Sequence, residues 1–146
     1  MIVVADTSGL LALFNRSDPE HFAVRRAADA ASALVVNPLA LTEVHHVASV
    51  RAGRKVADAV LGKLADRIAT TRIVLGEIGA AQLRSALELR SAYYDLDLDI
   101  VDATCVVLAD HFDTDRILTL DRRDFRTLRP LARYSAFQIL PDDFAG

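Results

Sequence analysis

Ile2-Val3-Val4-Ala5-Asp6-Thr7-Ser8-Gly9 opens the chain with four apolar residues that stop at an acid. An unbroken apolar run this short, ended by turn-forming residues, reads as a strand buried on both faces of a sheet. The acid behind it then lies at a carboxyl edge, where parallel sheets gather their chemistry. Ala33-Leu34-Val35-Val36, halted by Asn37-Pro38, repeats the pattern. Arg72–Leu75 and Arg116–Leu120 supply a third and a fourth strand, and Phe137–Leu140, ahead of Pro141, is a candidate fifth.

The segments between these runs have helical spacing. A short helix begins at Leu10–Phe14, once the Asp6–Gly9 turn is passed. Asp18-Pro19 signals a second start, with Asp18 as cap and Pro19 in the first helical position, and that helix runs to about Ala31. Leu39–Ala52 is closed by Gly53. From Arg54 to about Ala69, Val56, Val60, Leu64 and Ile68 stand four apart on one face. Ala80–Tyr94 is helical, Asp95–Asp99 is a polar junction, and Ile100 to about His111 is apolar enough to be central. Strands alternating with helices predict an α/β fold: three layers, α/β/α, around a mostly parallel sheet of four to five strands. No repeat or linker divides it, so residues 1–146 read as a single domain.

Composition narrows the function. A chain 52% hydrophobic and 25% charged is not a disordered segment. The lone Cys105, inside the apolar run Ala103–Ala109, excludes a disulfide framework or a cysteine zinc site and reads as core. No run approaches the roughly 18 apolar residues of a membrane span. Met1–Ala5 lacks a basic leader and is cut short by Asp6, so the expected location is the cytoplasm. The net charge of −3 disfavours nucleic acid only as a sum. Between Arg116 and Arg133, six arginines face two acids, Asp121 and Asp124, which makes this a basic segment in an acidic chain.

Four acids stand where folding alone gives them little purpose. Asp6 and Asp121 follow strands; Glu43 and Asp102 lie in the first turns of apolar helices. Strand ends and the starts of the following helices share one edge of a parallel sheet, so all four carboxylates can converge. Converging carboxylates repel one another unless a cation lies among them. Oxygen ligands without cysteine or paired histidines suit Mg²⁺ or Mn²⁺, and the matching chemistry is metal-assisted phosphodiester hydrolysis. Each acid also has a plainer reading: Asp6 as a turn or cap residue, Glu43 and Asp102 as partners of a helix dipole, Asp121 as a turn acid.

The segments Val3-Val4-Ala5-Asp6-Thr7-Ser8, Pro38-Leu39-Ala40-Leu41-Thr42-Glu43-Val44, Asp102-Ala103-Thr104 with Val107-Leu108-Ala109, and Ile117-Leu118-Thr119-Leu120-Asp121-Arg122-Arg123-Asp124-Phe125 together resemble the PIN domain. More narrowly they are similar to the VapC toxins of VapBC toxin–antitoxin pairs. The likeness spans nearly the whole chain, and the last motif is its most specific part. It implies a PIN-like fold, Mg²⁺- or Mn²⁺-dependent endoribonuclease activity on RNA, and inhibition by a small VapB-like antitoxin. Carried over by position, the catalytic set is Asp6, Glu43, Asp102 and Asp121. Asp6 and Asp102 are the first choices as metal ligands; Asp121 and Asp124 complete or exchange at the remaining corner. Asp99, one turn before Asp102, either caps the helix or reaches the site.

Thr7, Ser8 and Thr119 are hydroxyls beside these acids and can hold carboxylates or water; the alternative is turn and cap chemistry. Asn37 either touches the site or merely ends a strand. Arg122, Arg123 and Arg126, with Arg129, are candidates for gripping RNA phosphates or a partner's acidic tail. His45 and His46 do not have metal-pair spacing, because neighbours on a helix diverge by about 100°. His21 and His111 have no partner pattern. Tyr93-Tyr94 either stack a base or pack. The apolar faces of Leu39–Ala52 and Arg54–Ala69 suit a homodimer, a partner helix or the core. Two rival activities follow from the same residues. A phosphatase using Asp6 as nucleophile would want an acid at position 8, which is serine. A pure nucleic-acid binder leaves the acids unexplained.

Overall fold

The computed structural model describes residues 1–131 and 133–146. Strands β1 (Ile2–Ala5), β2 (Ala33–Val36), β3 (Ile73–Leu75), β4 (Arg116–Leu118) and β5 (Gln138–Leu140) form one parallel sheet in the order β3-β2-β1-β4-β5. Around it lie α1 (Thr7–Phe14), α2 (His21–Ala30), α3 (Pro38–Ala52), α4 (Arg54–Thr70), α5 (Ala80–Ala92), α6 (Ile100–His111) and α7 (Arg122–Thr127). The α/β/α expectation holds, with the fifth strand included.

Period-two alternation along the strands builds the layers. Val3 and Ala5 of β1 pack with Leu10, Val24, Val44 and Leu64, drawn from α1 to α4. Val4, between them, packs on the opposite face with Leu89, Leu108 and Phe125, drawn from α5, α6 and α7. Cys105 is buried there as a free thiol. Phe125, the last residue of the most specific motif, is fully buried and meets Phe137 edge-to-face, with ring centroids 6.1 Å apart. That contact anchors the short α7 to the sheet. Among the described residues no helix is long and apolar enough to cross a membrane.

β1 is central. The chain first adds β2 and β3 on one side of it and later β4 and β5 on the other. The order therefore reverses at the carboxyl ends of β1 and β4, the place where open α/β sheets present a crevice. Gly9 lets α1 close onto this point. A Cβ there would fall inside contact distance of the Leu118 carbonyl oxygen.

Several boundaries differ from the sequence expectation for local reasons. α1 starts at Thr7, not Leu10, because the Asp6 carboxylate accepts the Gly9 N–H and caps the helix. Asp18 is not the cap of α2: its carboxylate turns onto the Glu20 N–H at 2.8 Å, and the helix begins only at His21. β4 ends at Leu118, two residues early. The N–H groups of Leu120 and Asp121 are taken by the hydroxyls of Ser8 and Thr119, both at 2.9 Å, instead of by a neighbouring strand. α5 ends at Ala92 and is followed by one 3₁₀ turn, Tyr94–Leu96. The arginine-rich stretch after Asp121, left without a secondary-structure assignment in the sequence, is helical as α7.

Candidate active site

Asp6 leaves β1 in extended conformation and is 3% exposed. One carboxylate oxygen accepts from the Gly9 N–H and the Ser8 hydroxyl, both at 2.9 Å. The other accepts from the Thr119 hydroxyl at 2.5 Å. Ser8 and Thr119 therefore each donate to Asp6 and accept a backbone N–H from the turn after β4. Two hydroxyls thus lock the end of β1 to the end of β4. Burial pushes the Asp6 pKa from an ordinary 3.8 up to about 6, against the three hydrogen bonds that favour its anion; the nearby charge of Asp121 adds to the rise.

Asp102 stands in the first turn of α6, which Asp99 caps by accepting the Val101 N–H at 2.6 Å. The helix is placed from the other side by Asn37. Its side-chain oxygen caps α3 through the Leu39 N–H, while its amide donates to the Val101 carbonyl and the Thr104 hydroxyl. Asn37 is fully buried, so the residue that ends β2 also fixes where Asp102 sits. Asp102 itself is buried, and its pKa is pushed up to about 9, first by desolvation and then by the charges of Asp121 and Asp6. Burial and the Asp121 charge also raise the pKa of Asp124.

Asp6, Glu43, Asp102, Asp121 and Asp124 line one open cleft of about 290 Å³, together with Thr7, Ser8, Leu11, Asp97 and Asp99. Within it, carboxylate oxygens of Asp102, Asp121 and Asp124 lie within 4.8 Å of one another. Asp6 and Glu43 flank that trio without belonging to it. Glu43, on α3, receives the Thr7 hydroxyl at 2.5 Å. No lysine, arginine or histidine is among the described residues that line the cleft. Acids gathered without counter-charge, two of them with strongly raised pKa, form a donor set that fits a hard divalent cation.

The remaining candidates separate. Arg122 does not face the cleft; it bridges Glu20 at 2.6 Å and Asp142 at 2.5 Å, which holds its own pKa up. Arg126 pairs with Asp143 at 2.6 Å. Both arginines tie the C-terminal segment to α7. Arg123 is exposed and has no salt bridge among the described residues. His45 meets Asp58 at 2.7 Å, away from the cleft, and the His21 ring contacts the Ala12 carbonyl. Asp97 escaped the sequence reading, which treated Asp95–Asp99 as a junction. It sits in a left-handed conformation, φ 51°, at the cleft. The alternation Asp95-Leu96-Asp97-Leu98-Asp99 was its signal: Leu98 is buried, and Asp97 and Asp99 both reach the site.

Comparisons with known proteins identify the family and the fold. The family model for the PIN domain matches residues 3–129. Ribonuclease VapC26 of Mycobacterium tuberculosis (strain ATCC 25618 / H37Rv) is 39% identical over 140 residues, covering 95% of this chain and all of that protein. Among solved structures, the sarcin-ricin loop cleaving toxin VapC20 of Mycobacterium tuberculosis superposes with a TM-score of 0.70 at 21% identity, over 82% of this chain and 90% of that one. VapBC2 of Rickettsia felis, crystallised with a DNA fragment from its promoter, gives 0.66 at 14% identity, over 95% and 98%. At those identities the two structures speak for the fold.

Proposed function

Because the chain belongs to the PIN-domain family, in its VapC branch, we propose that it is a metal-dependent endoribonuclease and the toxin of a type II toxin–antitoxin pair. Residues 1–146 act as one PIN domain in this reading. The observation that carries it is the cleft where Asp6, Glu43, Asp102, Asp121 and Asp124 meet with no basic side chain lining it. We assign Mg²⁺ or Mn²⁺ to Asp102 and Asp6, with Asp121 and Asp124 completing the set. When bound, such an ion supplies an activated water and charge stabilisation at a phosphodiester. The chain's own residues hold the geometry. Thr119 and Ser8 keep Asp6 ionisable and fixed in direction. Asn37 and Asp99 set the first turn of α6, and Thr7 orients Glu43 on the α3 side, where we assign it to positioning water.

The direct test is cleavage of end-labelled RNA by the purified protein with Mg²⁺ or Mn²⁺, then with EDTA. We expect cutting that stops with the chelator and returns with excess ion. Equal cutting in EDTA would remove the metal from the account, and RNA binding without any cutting would favour a pure binder.

For the antitoxin we propose the apolar groove between α1, α3 and α4, lined by Leu11, Phe14, Val44, Val56 and Val60 among others. Leu11 lines both this groove and the acidic cleft, so an occupant of the groove reaches the edge of the site. Val56→Asp places a charge in the groove at a residue 47% exposed. We expect it to weaken a toxin–antitoxin complex by about tenfold or more without lowering the melting temperature. An unchanged complex would assign the antitoxin elsewhere. A homodimer in the cytoplasm completes the proposal; a sedimentation mass of one chain would remove the dimer.

A further inference from the structure

The adjacent tyrosines that the sequence left ambiguous have different surroundings in the fold. Tyr93 is half-buried, and its hydroxyl accepts the Arg129 N–H at 3.2 Å. Tyr94, the next residue, is 83% exposed. It stands on a well-tied turn. Leu96 and Asp97 donate their N–H groups to the Tyr93 and Tyr94 carbonyls, and Arg90 reaches from α5 to the Leu98 carbonyl at 2.7 Å. Tyr94 borders two open depressions, of about 560 and 380 Å³. The first includes Arg90 and Asp97, and Asp97 also lines the acidic cleft. The second includes Thr127 of α7, one helical turn beyond Asp124, another cleft residue. The first depression therefore adjoins the proposed active site at Asp97, and the second borders the helix that carries Asp124.

We propose that Tyr94 is a stacking platform for an unpaired RNA base next to the scissile phosphate, so that it helps to select the substrate. This deepens, and rests on, the ribonuclease reading. A water-exposed aromatic ring on a hydrogen-bonded turn beside a phosphodiester site suits single-stranded RNA, whose bases are free to leave their own stack. Charge identifies the part of the nucleotide involved. Asp95 lines both depressions and Asp97 the first, and their carboxylates repel a phosphate. A neutral base is not repelled, and its N–H edge can donate to a carboxylate. The backbone phosphates then follow Arg90, an exposed cation that lines the first depression.

The test compares wild type, Tyr94→Ala and Tyr94→Phe in steady-state cleavage of a single-stranded oligoribonucleotide with Mg²⁺. Loss of one stacked base predicts a KM raised between about fivefold and about a hundredfold for Tyr94→Ala, with kcat within about twofold. Tyr94→Phe keeps the ring and should stay near wild type. A wild-type KM in Tyr94→Ala would overturn the proposal, as would a loss confined to antitoxin binding, which would make Tyr94 a protein contact. If the wild type cuts no RNA, the ribonuclease reading fails separately, and the platform is read by binding. RNA carrying 2-aminopurine, titrated with Mg²⁺ present, should be quenched by wild type and Tyr94→Phe but not by Tyr94→Ala. Equal quenching by all three would overturn it.

Discussion

Asp102→Asn is expected to lower RNA cleavage by roughly a thousandfold or more and to abolish growth arrest on expression, while the protein stays folded. The substitution keeps the size of a buried side chain and removes the charge that a cation needs. The folded state should tolerate it well. Asp102 is crowded by Asp121 and Asp6, which together with burial push its pKa up to about 9, so the neutral form is already favoured when no cation is present. Asp6→Asn should abolish cleavage equally but be less benign. Asp6 accepts three donors, and an amide can replace only one of its oxygens as acceptor, leaving its NH₂ against Gly9 and Ser8 or against Thr119. Cleavage by purified Asp102→Asn equal to that of the parent, with Mg²⁺ present, would reject the nuclease assignment.

The second large effect is on stability against pH in chelator. Asp6 and Asp102 have folded-state pKa values of about 6 and about 9, above the ordinary 3.8. Between those limits the folded state holds protons that the unfolded state has released, so stability falls as pH rises. Their contribution is complete below about pH 4 and is lost as pH passes through about 6 for Asp6 and about 9 for Asp102. The slope for one such group is at most about 1.4 kcal/mol per pH unit. Asp142 and Asp143 act in the opposite sense. Their pKa values are lowered by Arg122 and Arg126, so their contribution is present at neutral pH and lost in acid. The wild-type curve sums both kinds of group, and the difference between wild type and Asp102→Asn isolates Asp102. In EDTA, the melting temperature of the wild type should drop relative to Asp102→Asn from pH 5 to pH 9. Mn²⁺ should restore the wild type and leave the variant unchanged. Parallel curves with no response to Mn²⁺ would mean that Asp102 is not strained by its neighbours.

Much of this arrangement was legible in the chain because it follows from strand ends. The unbroken runs Ile2–Ala5 and Ala33–Val36 mark buried strands, and the acids just beyond the strands and on the next helices must then share an edge. Asp6, Glu43, Asp102 and Asp121 do line one cleft. What escaped depended on contacts between segments distant in sequence. The early end of β4 follows from Ser8, more than a hundred residues earlier, taking the Leu120 N–H. The arginines of α7 read as a free basic patch because their partners, Glu20, Asp142 and Asp143, lie on other segments. Asp97 lines the cleft in a left-handed backbone conformation; the acid–leucine alternation around it hinted at a shared face, but not at that turn. Asp18-Pro19 is a sound helix-start signal, overridden by a local turn that satisfied Asp18 sooner.

Whether a cation occupies the acidic cleft is the question on which the function turns, and diffraction from crystals soaked in Mn²⁺, recorded at the manganese absorption edge, answers it. The account predicts an anomalous peak bound by Asp102 together with carboxylates from Asp6, Asp121 or Asp124. An empty cleft at saturating Mn²⁺, in protein that still cuts RNA, would contradict it.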